Sequence, residues 1–481
     1  MVHQRVTLTL HIVGSFLKYF ALVYIIPLIA AIHYGEVNPQ SGQQNWLIYL
    51  YSLVLTLGVG LILEFAFRTT REIERADGFT IVAFAWLLIP IFGTLPYLFL
   101  GLGFVDAFFE SMSGFTTTGA TILRVVEELP RSALLWRSLT QWLGGMGVIT
   151  LFIAVLPRLA VGGSQLFDRE FPGALPERIR PRFSTTARLL WTIYAGLTAA
   201  EIVLLRFAAR LPLFDSACIS LCTLPTGGFT PTTASIAAYA NPVAEWVIIV
   251  FMFLAGMNFI VHYQVLRRNW KAIKNEEFRL YFIILAVAAF LLILSQGFGT
   301  YRQGVFQAVS IMTTTGFATT DFGLWQSGAK IVLLALMFIG ACGGSTGGAI
   351  KVVRILTLIK HTGVMMRRAI SPNAVIPVKY SQKVLPEGTI RDVVSFVFLY
   401  ILVAIVSSII LCFMGIDIET SVSAVAATLG NVGPGLGAVG PSLNYAWLPA
   451  AAKGILILTM WLGRLELFTV LMIFFPRFWR G

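Results

Sequence analysis

Apolar residues run in long blocks along this chain, and the way each block is interrupted decides what it can form. The stretch from Leu8 to Ile32 and the one that follows it to Phe67 are apolar on every face, so each predicts a membrane-spanning helix. Behind them one plan recurs four times: a long apolar helix, a short apolar helix of about a dozen residues, a Gly/Thr-rich string, and a second long helix. The units start near Phe79, Thr186, Phe278 and Ile390, which divides the chain into 1–78, 79–185, 186–277, 278–389 and 390–481. This pattern predicts an all-α polytopic membrane protein of about ten spans. It is laid out as four M1–P–M2 repeats with pseudo-fourfold symmetry around one pore, plus two extra N-terminal transmembrane helices.

The short helices decide the architecture. A dozen residues reach only about 18 Å, against a hydrocarbon layer about 30 Å thick. They must enter the membrane and turn back, and irregular backbone at that depth is tolerated only where protein covers it or water meets it. The strings that follow them are "SGFTTTGAT" (113–121), "LPTGGFTPTT" (224–233), "MTTTGFATT" (312–320) and "LGNVGPGLG" (429–437). Aligned on one glycine, they pair Thr117-Thr118-Gly119 with Pro225-Thr226-Gly227, Thr314-Thr315-Gly316 and Asn431-Val432-Gly433. A single such string reads best as a small-residue packing interface. Four copies at equivalent places read instead as the wall of an aqueous path. Acids stand near the start of three short helices, at Asp106, Asp215 and Glu419, with Gln303 in the third. They complement the positive helix ends and leave the negative ends facing the turns. Glycine-centred strands can present carbonyl oxygens as a substitute for a cation's hydration shell, whereas an anion would be repelled.

Composition and charge narrow the reading further. The 481 residues are 57% hydrophobic and 12% charged, against about 25% charged in soluble domains. A net charge of +12 invites a nucleic-acid reading, but the basic residues alternate with spans. They gather at Arg68 to Arg75, Arg158 to Arg188, Arg267 to Arg279 and Lys351 to Arg391, while His33 to Gln44 holds no Lys or Arg. That is the bias of a cytoplasmic face, with the N-terminus inside, and it excludes nucleic acid as a partner. The four cysteines form no CxxC motif and the five histidines no HExxH. They read as buried side chains, with no catalytic residues and no cofactor expected.

The second helices are unequal. Aligning "WLGGMG", "FLAGMN", "IGACGG" and "WLGRLE" sets Arg464 opposite Gly145, Gly256 and Cys342. A charge inside a span is a functional candidate by default. Arg464 therefore reads as a positive barrier below the Gly/Thr strings, and the competing reading is an ion pair with Glu466 or Glu110. In the third copy, "GACGGSTGGA" (340–349) breaks the apolar run with five glycines. No GK[ST] follows, so it is not a phosphate loop. Helix should unwind there.

The strings "SMSGFTTTGAT", "PTGGFT", "MTTTGFATTDF" and "GNVGPGLG", with "QWLGGMGVI" and "CGGSTGGAIKVVRI", resemble the Trk/Ktr/HKT superfamily of potassium transport proteins. The length and the two extra helices resemble its bacterial TrkH/TrkG branch. The resemblance covers nearly the whole chain. It implies potassium uptake across the bacterial cytoplasmic (inner) membrane, a homodimer surrounded by membrane lipid, and a cytosolic TrkA-like nucleotide-binding subunit. Carried over, the potassium-binding filter is Thr117, Thr118, Gly119, Thr226, Gly227, Thr314, Thr315, Gly316, Asn431, Val432 and Gly433. The gate and barrier are Gly343, Gly344, Ser345, Thr346, Gly347, Gly348 and Arg464. Members with serine at the first filter glycine tend to accept sodium; four glycines here favour potassium over a sodium- or ammonium-permeable path. Pro225 departs from the family's usual hydroxyl residue. On this alignment a hydroxyl ring has three contributors: Thr118, Thr226 and Thr315.

Overall fold

The first two helices cross where glycine permits. A Cβ on Gly14 would stand 2.8 Å from the carbonyl oxygen of Gly60, so only hydrogen fits between them. The Lys18–Glu64 ion pair (2.6 Å) fastens the same crossing. In this computed structural model, which describes residues 2–38, 42–71, 74–155, 183–381, 383–476 and 479, the pair packs on the rest through Tyr24, stacked on Trp136 at 4.7 Å.

Four long helices follow at intervals, beginning at Arg75, Phe183, Glu276 and Glu387, each a few residues before the apolar pattern sets in. Three of these openings carry acids in the first turn, Asp77, Glu276 with Glu277, and Glu387. They satisfy the positive helix end and extend it beyond the apolar block. The short helices are Phe104–Phe115, Leu213–Thr223, Tyr301–Met312 and Ile418–Leu429. Their starts are neutralised unequally. Asp106 meets Lys453 at 2.6 Å and Glu419 meets Lys330 at 3.0 Å. The third carries Arg302, paired with Glu245 of a neighbouring helix. In the fourth, Asp417 rather than Glu419 caps the helix, accepting from Thr420 N at 2.9 Å.

Among the described residues the second helix is a single unbroken element only in the first unit, Arg131–Val155. In the second, Pro242–Ala255 bends by 100° into Phe259–Leu266; in the fourth, Ala450–Arg464 bends by 111° into Phe468–Phe474. In the third, Ser327–Ile339 ends at Gly340, and an irregular segment leads to Val352–Ile370. Among the described residues, six helices are long and apolar enough to cross a membrane, or eight if each bent pair is one span. The six are the two leading helices and the four that open the units, so the shortfall from about ten falls on the second helices. The loop Arg158 to Arg188 lies almost entirely outside the described residues.

Candidate functional site

After each short helix the chain makes the same turn. The residue closing it has positive φ: Thr117 (52°), Thr226 (56°), Thr314 (61°) and Asn431 (54°). Two residues on stands a glycine with positive φ: Gly119 (82°), Gly228 (83°), Gly316 (80°) and Gly433 (105°). Between them lie Thr118, Gly227, Thr315 and Val432, whose N–H groups each donate five residues back, to Ser113, Cys222, Ser310 and Ala427 at 2.7–2.9 Å. Left-handed residues on either side of an ordinary one turn successive carbonyls the same way, which an extended strand does not do.

This pattern corrects the sequence alignment in one unit. Thr226 stands with Thr117, not Thr118, and Gly227 with Thr118, not Gly119; the glycine matching Gly119 is Gly228. Pro225 thereby falls level with Thr116, at the end of the helix, where its missing N–H leaves the turn's own bonds intact. The tier with three expected hydroxyls instead reads Thr118, Gly227, Thr315 and Val432. The doubled glycine of "PTGGFT" hides the offset, because either glycine aligns.

The four glycines pack in a closed cycle. A Cβ on Gly119 would lie 2.2 Å from the carbonyl oxygen of Gly227; on Gly228, 2.1 Å from that of Thr315. On Gly316 it would lie 2.0 Å from the oxygen of Val432, and on Gly433, 2.6 Å from that of Thr118. Each unit's glycine thus faces the middle carbonyl of the next, and the fourth faces the first.

Buried polar side chains, two from outside the strings and one from the fourth, hold this cycle. Gln141 donates from Nε2 to Gly227 O (2.6 Å) and accepts from Phe229 N (3.0 Å). Tyr445 donates to Gly433 O (2.8 Å), and Asn431 Nδ2 donates to Thr118 Oγ1 (3.0 Å). Gln141 and Tyr445 went unremarked in the sequence, although a glutamine inside the apolar run "QWLGGMGVI" was a signal. A cavity of about 70 Å³ opens beside the glycines, lined among others by Gly119, Gly228, Gly316, Gly433 and Arg137. Arg137 is buried, paired with Glu110 at 2.9 Å, and stacks on Phe229 at 4.0 Å.

The irregular segment of the third unit lies against the turns. Gly348 N donates to Thr314 Oγ1 (2.9 Å), and Thr346 Oγ1 donates to Leu224 O (2.9 Å). A Cβ on Gly348 would strike Gly430 O at 2.3 Å. Gly344 O accepts from Phe259 N (3.1 Å), Ser345 Oγ donates to Cys342 O (2.6 Å), and Gly347 faces Thr313 O. Gly343 N donates to the buried carboxylate of Glu277 at 2.5 Å.

Arg464 spans the same region. Its guanidinium donates to Thr346 O (2.8 Å) on one side, and to Gly144 O (2.8 Å) and Gly145 O (3.2 Å) on the other. Neither expected acid pairs with it. Glu110 binds Arg137, and Glu466 binds Lys351 (3.3 Å) and Arg354 (2.5 Å). The guanidinium thus joins the irregular segment of the third unit to the second helix of the first, and brings a positive charge to the carbonyls of both. The site can therefore present carbonyl oxygens in one tier and a positive charge beside a tightly bonded loop in another.

Residues 49–480 match the family model described as TrkH, a cation transport protein. The potassium uptake protein TrkH of Salmonella typhimurium is 38% identical over 484 residues, covering 98% of each chain. TrkG of Escherichia coli, also named a potassium uptake protein, is 34% identical over 99% of each. The crystal structure of the potassium transporter TrkH from Vibrio parahaemolyticus superposes with a TM-score of 0.86 at 34% identity, covering both chains completely.

Proposed function

The chain belongs to the TrkH family of cation transport proteins, multi-pass membrane proteins and not enzymes, and from this premise we propose that it takes up potassium through a filter made by its four turns. The closed cycle of glycine-to-carbonyl contacts carries the reading. It supports four repeats related by a pseudo-fourfold axis, with the tier Thr118, Gly227, Thr315 and Val432 and the tier Thr117, Thr226, Thr314 and Asn431 turned to one path. Carbonyls at fixed spacing replace the water around a dehydrated cation and offer nothing to an anion.

Below the filter, the segment from Gly343 to Gly348 is the gate and Arg464 the barrier. The loop's bonds to Thr314 and Leu224 support this, because a segment pinned there occludes the exit. The basic loops support a cytoplasmic N-terminus. The family resemblance adds an inner-membrane location, a homodimer and a cytosolic TrkA-like nucleotide-binding subunit; the transported potassium is substrate, and no cofactor is required.

Rubidium-tracer uptake into liposomes carrying the purified protein tests the substrate. Unlabelled potassium should suppress it, with sodium and ammonium leaving most of the signal; equal suppression by sodium would refute a potassium filter. Removing the charge of Arg464 should raise the same flux. A unit charge about 8 Å from a passing ion, at an effective permittivity of about 20, opposes it by roughly 2 kcal/mol. Each 1.4 kcal/mol being about tenfold in rate, Arg464→Ala should increase uptake by at least that factor, and unchanged uptake would remove the barrier role.

A further inference from the structure

The gate loop is bonded to more than the filter. Gly343 N–H, at its start, donates to Oε1 of Glu277, a residue 66 positions earlier on the helix that opens the third unit. The other carboxylate oxygen, Oε2, is the more distant of two acceptors that share the single Tyr380 hydroxyl proton, at 3.5 Å. Tyr380 lies on a two-stranded hairpin, Lys379–Tyr380 against Lys383–Val384, beyond the helix that continues from the gate loop. The hairpin is tied to the same helix start from several sides. Tyr380 Oη also reaches Asn275 Oδ1 (3.2 Å), and Ser381 N donates to Glu276 Oε2 (3.3 Å). Lys360 of the continuing helix bonds both Glu276 and the Lys379 carbonyl (2.8 Å).

This arrangement differs from an ordinary helix cap. Asn275 already caps that helix, its Oδ1 accepting from Glu277 N at 3.1 Å, so the Glu277 carboxylate is not needed there. It is 4% exposed and turned instead to a backbone N–H of a glycine segment. A buried N–H left without its acceptor is costly, and Gly343 has no side chain of its own to hold the start of the loop.

We propose that Glu277 is a positioning residue that latches the gate loop shut, and that the 379–384 hairpin, through Tyr380, sets whether the latch holds. The inference rests on the gate reading of residues 343–348. Glu277 bonds the loop with one oxygen and the hairpin with the other. A shift of the hairpin away from Asn275 draws on the carboxylate and frees Gly343. Hairpin and gate loop are also joined through the chain itself, by the Val352–Ile370 helix. A force applied at the hairpin therefore reaches the loop from both of its ends.

The test is rubidium flux into liposomes for four purified chains: wild type, Glu277→Ala, Glu277→Gln and Tyr380→Phe. Leaving Gly343 N without its buried acceptor should raise the open fraction about tenfold in Glu277→Ala. Glu277→Gln keeps an oxygen that accepts from Gly343 N, so its flux should stay within about twofold of wild type, given the weaker neutral bond. Tyr380→Phe should fall between them. Competition by potassium over sodium should be the same in all four, because the filter is untouched. Wild-type flux in Glu277→Ala, or equal rises in the alanine and glutamine variants, would overturn the latch. A chain lacking residues 343–347 separates the two readings. If it conducts no more than wild type, the gate reading fails; if it conducts and Glu277→Ala does not, only the latch fails. Should the shortened chain not fold, Arg464→Ala serves as the conducting control.

Discussion

Gly316→Ala should reduce potassium-competed rubidium uptake about a hundredfold, and the reason is steric on two counts. The new Cβ would stand 2.0 Å from the carbonyl oxygen of Val432, well inside van der Waals contact, and 2.8 Å from the ring of Pro434. Neither neighbour can swing away as a side-chain tip would, because one is backbone and the other a proline. The residue also sits at a φ of 80°, where a side chain costs about 1–2 kcal/mol. Overpacking adds about 1–3 kcal/mol, and at about tenfold per 1.4 kcal/mol the two together span roughly one and a half to three and a half decades. Gly119→Ser meets the Gly227 oxygen at 2.2 Å and should lose selectivity against sodium in the same assay. Full uptake by Gly316→Ala would mean that the Val432 carbonyl does not face the ion path.

The second large effect concerns folding. Glu110→Ala should destabilise the protein by about 3–5 kcal/mol, because it leaves a buried arginine without its counter-charge. Glu110 is fully buried and receives Arg137 Nε at 2.9 Å, Thr121 Oγ1 at 3.0 Å and Ile122 N at 3.0 Å. Arg137 in turn donates to Thr230 O at 3.1 Å, which ties the first unit to the string of the second. The measurement is unfolding of the purified protein in detergent by a denaturing-detergent titration. Removing both charges together, Glu110→Leu with Arg137→Met, should recover much of the loss, since an apolar pair of similar volume often replaces a buried ion pair at little cost. Equal destabilisation by the single and double variants would show that the Thr230 and Ile122 bonds matter more than the charge pair.

Much of this was legible before the structure. Long apolar blocks, short ones unable to span, and recurring Gly/Thr strings are properties of consecutive residues, and the leading, unit-opening and short helices follow them within a few positions. What failed to read depended on register or on distant partners. Two adjacent glycines, Gly227 and Gly228, make an alignment on glycine ambiguous; the hydrogen bond from Gly227 N to Cys222 O resolves it. The bend after Arg464 carries no glycine at its corner. Glu466 (φ 55°) and Leu467 (φ 28°) take the left-handed conformation themselves, held by the bonds of Glu466 to Lys351 and Arg354. Breakers mark where a helix is easy to end, and tertiary ion pairs can end it elsewhere. Glu277 was unreadable for a related reason, since its partner Gly343 stands 66 positions along the chain and nothing near Glu277 points to it.

The cycle of glycines and carbonyls is drawn from four separate places in one polypeptide. A mutation in a channel of four identical subunits alters every side of the opening at once, and intermediate forms exist only as mixtures. Here one codon changes one side. Val432 already stands where two of its counterparts are threonine and one is glycine. On the proposed filter the four walls are separate quantities, and an experimenter can vary them as such, replacing one, two or three glycines in chosen adjacent or opposite positions and measuring how permeation depends on their arrangement.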